Sequence, residues 1–202
     1  MRSLPDFFYN FHWVEPGNAA RSSQAYAGFL APFLRRRGIR ALVNLRGPNP
    51  QWRWWRNEKK ITARMGVEHR DVMLSSKRLP TRKMLLALFD AFDTLPKPIL
   101  LKCSGGQDRT SFAAALYVIH IKGWAAFDEA QNQFARWPYL HLPKRHQRWL
   151  KLFLVFARDD AHGRPLRNWV AETYVPESYR AWLEARGEGH SFHGLYDPML
   201  GL

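Results

Sequence analysis

The single cysteine of the chain, Cys103, heads the stretch Cys103-Ser104-Gly105-Gly106-Gln107-Asp108-Arg109-Thr110. These residue types at this spacing suit the capture of an oxyanion beside a nucleophile. Adjacent glycines, Gly105 and Gly106, let the backbone turn sharply, so that successive N–H groups point inward. Arg109 adds a planar fork that matches two oxygens of a phosphate. The same positive field stabilises a thiolate at Cys103. A thiolate lying beneath a bound phosphate can attack phosphorus.

Such a loop needs rigid neighbours. The apolar run Ile99–Leu101 reads as a strand, and Thr110–Ile121 reads as an apolar helix. That order aims the positive end of the helix at the loop. Upstream, residues 1–24 are aromatic and polar without clear periodicity. Trp13-Val14 reads as a short edge strand, and Glu15-Pro16-Gly17-Asn18 as a turn. Helical spacing of Tyr26, Phe29, Leu30, Phe33 and Leu34 predicts a helix over 25–37, ended by Gly38. A strand follows over 40–45, a helix over 51–65, a strand over 67–74 and a helix over 80–94. This alternation predicts an α/β fold: a central, largely parallel sheet flanked by helices, with the loop at the carboxyl end of a central strand. Downstream the chain reads as helical, over 127–136, 143–156 and 168–184, with an irregular tail over the last fifteen residues.

The chain has 202 residues, 46% of them apolar, enough for one domain with a C-terminal extension. One cysteine excludes an intramolecular disulfide framework and suits a reducing, cytoplasmic setting. The opening residues lack the pattern of a secretory signal, and no apolar run reaches the length of a membrane span. No Cys/His cluster or carboxylate set offers a metal site. The net charge is +14. Either it draws anions such as phosphorylated substrates or lipid headgroups, or it is spread over a solvated surface. Basic residues interleave with Trp52, Trp54 and Trp55 over 51–64, and with apolar residues over 144–156. Packing of the tryptophans on the core is the favoured reading. Peripheral contact with an anionic membrane stays open, and nucleic acid is the less expected partner.

Cys103, five residues, Arg109 and then Thr110 resemble the signature of the cysteine-dependent protein tyrosine and dual-specificity phosphatases. The glycine pair and Asp-Arg-Thr resemble a bacterial and lipid-phosphatase branch whose loop reads roughly H-C-x-x-G-x-D-R-T-G. Arg21-Ser22-Ser23-Gln24 resembles the R-S-x-Q stretch that opens atypical dual-specificity domains; Ser23 also reads as a helix N-cap. Three positions depart from the pattern: Lys102 replaces a His, Gln107 a frequent Lys, and Ser111 a Gly. The missing lysine argues against a preference for highly charged inositol lipids.

The resemblance covers residues 20–157, most specifically 98–121. It implies a phosphatase domain over 1–157, with 158–202 as a helical extension and tail of no assigned function. It implies a metal-independent, cofactor-free hydrolase that forms a phosphocysteine. In that picture Cys103 is the nucleophile, Arg109 clamps the phosphoryl oxygens, and Thr110 eases departure of the thiolate. Ser104, Gly105, Gly106, Gln107, Asp108 and Arg109 line the phosphate site. Arg46, after the strand over 40–45, is either a substrate contact or a solvated loop residue. The general acid is Asp108 or Asp71, with Asp108 ranked slightly ahead. The substrate class is a phosphotyrosine or phosphoserine/threonine protein, or a lipid or inositol phosphate. The alternative from another class is a non-catalytic phosphate- or membrane-binding adaptor with a vestigial loop. Rhodanese-like sulfur transfer is disfavoured by the Arg109-Thr110 ending.

Overall fold

A computed structural model of the chain describes residues 4–197. A short helix α1 (Leu4–Phe8) leads into β1 (His12–Glu15) and β2 (Ala19–Ser22), and then into helix α2 (Ala27–Arg36). The alternation β3 (Ala41–Asn44), α3 (Arg53–Met65), β4 (Glu68–Asp71), α4 (Arg82–Thr94), β5 (Ile99–Lys102) and α5 (Asp108–Lys122) follows. The rest is helical: α6 (Phe127–Asn132), α7 (Trp149–Ala161), α8 (Leu166–Glu172) and α9 (Pro176–Ala185), with short 3-10 turns between.

The five strands stand in the order β1-β2-β5-β3-β4. β1 runs antiparallel at one edge, and the other pairings are parallel. The expected α/β fold, with a largely parallel central sheet and a helical C-terminal part, is thus present. β5, which delivers Cys103, is the middle strand. Alternation of side chains along the strands sorts the core into two layers. Ala19, Ala41, Val43, Ile99, Leu101 and Cys103 face α4 and α5, in one apolar cluster that continues through α7, α8 and α9. Ala20, Leu42 and Leu100 face α2 and α3. α5 is buried almost all round from Thr110 to Ile119, as expected of a helix apolar on every side. Its small run Ala113-Ala114-Ala115 lies fully inside.

Several boundaries differ from the sequence reading. β2 falls within the stretch read as having no periodicity; Ala-Ala-Arg-Ser has no β-branched or aromatic residue to announce a strand. α4 begins at Arg82 rather than Pro80, because the Thr81 hydroxyl caps it by accepting from the Met84 N–H at 3.3 Å. The helix expected over 127–136 stops at Asn132. The helix expected over 143–156 starts at Trp149 and runs on to Ala161. Ahead of it, the Gln147 side chain accepts from the Lys144 N–H at 2.8 Å and holds a separate turn. The helix expected over 168–184 is two helices, broken where Pro176 opens α9. The tail is not wholly irregular. Gly189–Ser191 is a 3-10 turn, and Leu195 bridges to Leu79. The final residues of that tail lie outside the described residues. No helix among the described residues is long and apolar enough to cross a membrane.

Candidate active site

The loop between β5 and α5 is held from below by β2. Gly106 takes φ +66°, and a Cβ there would stand 2.6 Å from the Ser23 nitrogen and 2.7 Å from the Ser22 carbonyl carbon. Both the positive φ and the backbone contact exclude a side chain. The Gly106 carbonyl accepts from Arg21 Nη2 at 3.2 Å and from Asn10 Nδ2 at 3.1 Å. The Ser104 carbonyl accepts from the Gln24 N–H at 3.0 Å. The loop carbonyls are thereby pulled toward β2, which leaves the loop N–H groups free to face the other way.

Cys103 sits at the base of this cradle, 3% exposed. The Thr110 hydroxyl donates to its Sγ at 3.1 Å. Burial pushes the thiol up; the Arg109 charge, the Thr110 hydroxyl and the N–H groups of Gly106 and Thr110 outweigh it and leave Cys103 below its ordinary value. Arg109 lies half-buried at the rim, with Nη2 donating to Ser104 Oγ at 3.2 Å. Ser104 and Gly105 are exposed, and Gln107 is the half-buried residue before α5. Alkylation of Cys103 by iodoacetate is therefore expected to persist at mildly acidic pH and to be blocked by phosphate or vanadate. A titration midpoint near the free-thiol value of about 8.5 would contradict the cradle.

The two aspartates have different surroundings. Asp108 opens α5, and its Oδ2 accepts from Gln147 Nε2 at 3.0 Å. Burial raises its carboxyl above the ordinary value, against the opposing pull of Arg109, Gln147, His146 and Lys144. Asp71 ends β4 at the sheet edge, where Asn44 is its register partner and Asn44 in turn pairs with Lys102. Two strand spacings, about 10 Å, thus separate Asp71 from the strand that carries Cys103. Its Oδ1 accepts from Asn44 Nδ2 at 2.7 Å and from Trp55 Nε1 at 3.0 Å. The fold sets Asp108 at the end of the loop and Asp71 in a hydrogen-bond cluster with Asn44 and Trp55.

Arg46 lies over the Trp54 ring at 3.8 Å. Burial and the neighbouring Arg109 charge lower its guanidinium, while the Cys103 thiolate favours it, so it belongs to the same electrostatic field. Lys102 points to the opposite face of the sheet from Cys103. There its Nζ pairs with Glu58 Oε1 at 2.7 Å and donates to Gln24 Oε1 at 2.8 Å, and burial pulls it down to about 8. Of the three tryptophans in this region, Trp54 and Trp55 pack and Trp52 is 56% exposed.

Sequence reasoning placed Arg21 in the Arg21-Ser22-Ser23-Gln24 stretch and assigned it no role. It is fully buried, donates to the Gln133 carbonyl at 2.8 Å and to Ser111 Oγ at 2.7 Å, and lies 4.2 Å from the Tyr139 ring centre. Burial lowers it to about 10. Its signal was an arginine inside a short apolar strand, legible only once that strand is recognised. Gln147 and His141, which face Asp108, carried no sequence signal at all. Among the described residues no group of three or more His, Cys, Asp or Glu is placed to hold a metal ion.

No protein-family model and no curated protein sequence matches the chain. Solved structures do. TpbA from P. aeruginosa aligns at 19% identity and a TM-score of 0.60 over 85% of this chain and 96% of its own. PTPMT1 aligns at 17% identity and a TM-score of 0.53 over 75% and 98%. The core catalytic domain of the PP-IP phosphatase SIW14 from S. cerevisiae aligns at 17% identity and a TM-score of 0.50 over 89% and 93%. TpbA has also been solved with pTyr, and PTPMT1 with PI(5)P. With β5, the Cys103 loop and α5 at its centre, the chain shares the fold of TpbA and PTPMT1.

Proposed function

We propose that the chain is a metal-independent phosphomonoesterase that works through a phosphocysteine. The observation that carries this reading is the buried Cys103 Sγ, which accepts from the Thr110 hydroxyl at 3.1 Å in the same loop that presents Arg109. The Cys103 thiolate attacks phosphorus in line, and the bond to the leaving oxygen breaks as the S–P bond forms. Arg109 and the N–H groups of residues 104–109 stabilise the equatorial oxygens. Asp108 protonates the leaving oxygen. Water then attacks the phosphocysteine, Asp108 takes a proton from it, and Thr110 eases release of the thiolate by its hydrogen bond to sulfur.

Substrates of this reading are phosphoproteins or lipid or inositol phosphates, consistent with the ligands named for TpbA and PTPMT1. Arg46, which shares the electrostatic field of Arg109 and Cys103, is the candidate contact for the rest of such a substrate. The machinery named here lies within residues 1–157, and the described part of the extension, residues 158–197, buries Trp169, Tyr174 and Tyr179 against the same core. The adaptor alternative is weakened because thiol, arginine and hydroxyl are present and joined.

The test is hydrolysis of two phosphate monoesters in the presence of a chelator: an activated aryl phosphate and an alkyl phosphate. Loss of an acid hurts a poor leaving group far more than one whose own pKa is low. Asp108→Asn is expected to slow the alkyl ester by about 10²-fold or more and the aryl ester much less. Asp71→Asn is expected to lower both alike and modestly, through lost contacts with Asn44 and Trp55. Selective loss in Asp71→Asn would move the acid upstream. No hydrolysis by the unaltered protein would end the phosphatase reading.

A further inference from the structure

Burial raises the Asp108 carboxyl, but two of its neighbours favour the ionised form. It opens α5, where the helix dipole welcomes negative charge, and Arg109 stands beside it. A group that prefers the proton in place acts with burial against both. We propose that His141 and Gln147 are paired positioning residues for Asp108, with His141 holding the proton on Oδ1 and Gln147 supporting the carboxylate left when it departs. The proposal rests on the reading of Asp108 as the acid.

The hydrogen-bond bookkeeping assigns each atom. Gln147 Oε1 is occupied by the Lys144 N–H at 2.8 Å, so its amide NH₂ faces Asp108 and donates to Oδ2 at 3.0 Å. The other oxygen, Oδ1, lies 3.5 Å from His141 Nε2. His141 is only 4% exposed, and its Nδ1 lies 3.2 Å from the Phe134 carbonyl oxygen. A carbonyl only accepts, so Nδ1 carries the hydrogen and Nε2 presents a lone pair. Burial pulls the imidazole down to about 4, which keeps it neutral near pH 7.

Nε2 is buried and without a hydrogen-bond partner. Such an acceptor is costly unless a donor reaches it. A protonated Asp108 supplies that donor after a closure of about 0.7 Å; an ionised Asp108 sets lone pair against lone pair. The other groups bearing on Asp108 act the opposite way. Arg109 on α5 and Lys144 and His146 in the turn before α7 all favour the carboxylate. Arg21 and Lys151, whose charges reach His141, oppose protonation of its ring. His141 is thus the neutral acceptor in this surround.

The proton balance follows. In the first step the Oδ1 hydrogen passes to the leaving oxygen as its bond to phosphorus breaks, and Gln147 supports the carboxylate that remains. In the second step that carboxylate, facing the His141 lone pair, takes a proton from the attacking water and returns to the acid form.

The experiment reads the titration of Asp108 directly, from the carboxyl ¹³C shift of labelled protein, assigned by its disappearance in Asp108→Asn. His141→Phe removes the lone pair and keeps an aromatic ring against Phe134. It should lower the Asp108 midpoint by about half a pH unit or more. Gln147→Met removes the donor to Oδ2 and should raise it. The alkaline limb of the pH–rate profile for the alkyl ester should move in the same two directions, while the Cys103 alkylation midpoint stays near its original value. Shifts of opposite sign are not expected from general loosening. An unmoved midpoint in folded His141→Phe, or shifts of the same sign in both variants, would overturn the proposal. If His141→Phe does not fold, Gln147→Met decides alone: an upward shift supports the pairing, and an unmoved or lowered midpoint overturns it. If the midpoints move as stated but the unaltered protein hydrolyses no phosphate ester, the phosphatase reading fails and the pairing stands.

Discussion

Cys103→Ser is expected to reduce turnover by on the order of 10⁴-fold or more while the protein stays folded. The loop lowers a thiol whose ordinary value is already close to neutrality. A serine hydroxyl starts many units higher, and no arrangement of N–H groups with one arginine brings it into range. The change costs little structurally, because the buried side chain is small and Thr110, fully buried itself, can give its hydrogen bond to oxygen as to sulfur. Phosphate or vanadate should still raise the melting temperature of the variant, since the cradle of N–H groups and Arg109 is untouched. Turnover within tenfold of the unaltered protein would mean that the nucleophile is another group. Loss of both turnover and anion-induced stabilisation would mean that the substitution had collapsed the loop.

Arg109→Lys is expected to lower turnover by about 10²- to 10³-fold, the range for losing a donor aimed at a transition-state oxygen. A lysine keeps the charge and loses the fork. Two measurements separate these properties. The Arg109 charge is the leading influence that draws the Cys103 thiol down against burial, so the alkylation midpoint should move little in the variant. The planar contact to two oxygens should be lost, and with it the rate. Ser104 Oγ, which accepts from Arg109 Nη2 at 3.2 Å, should also lose its partner, with a small change in stability. Near-normal turnover would show that the charge alone suffices and that the two-pronged geometry has no part in the reaction.

The strand, glycine loop and helix around Cys103 were legible because their signals are local. An apolar run, two glycines and an apolar helix stand next to one another in the chain, and each states its own conformation. Helices α3 and α4 and strands β3 and β4 were legible by their periodicity, with ends displaced where a cap such as Thr81 set the boundary. β2 was not legible. Ala19–Ser22 is a strand because it pairs with Ile99–Lys102, far along the chain, and because Arg21 finds Gln133, Ser111 and the Gly106 carbonyl to satisfy it.

By itself, then, the sequence determined the alternating α/β order and the composition of one loop with a thiol, a fork and a hydroxyl in fixed succession. Only the tertiary structure decided which distant groups surround that loop. Asp71 and Asp108 are both carboxylates at plausible separations from Cys103 along the chain. Sheet register ties Asp71 to Asn44 and Trp55, and the first turn of α5 sets Asp108 against Gln147 and His141. Spacing along a chain constrains neighbours within a few residues. The environment that holds or releases a proton is built from residues tens of positions away, which packing alone brings within a hydrogen bond.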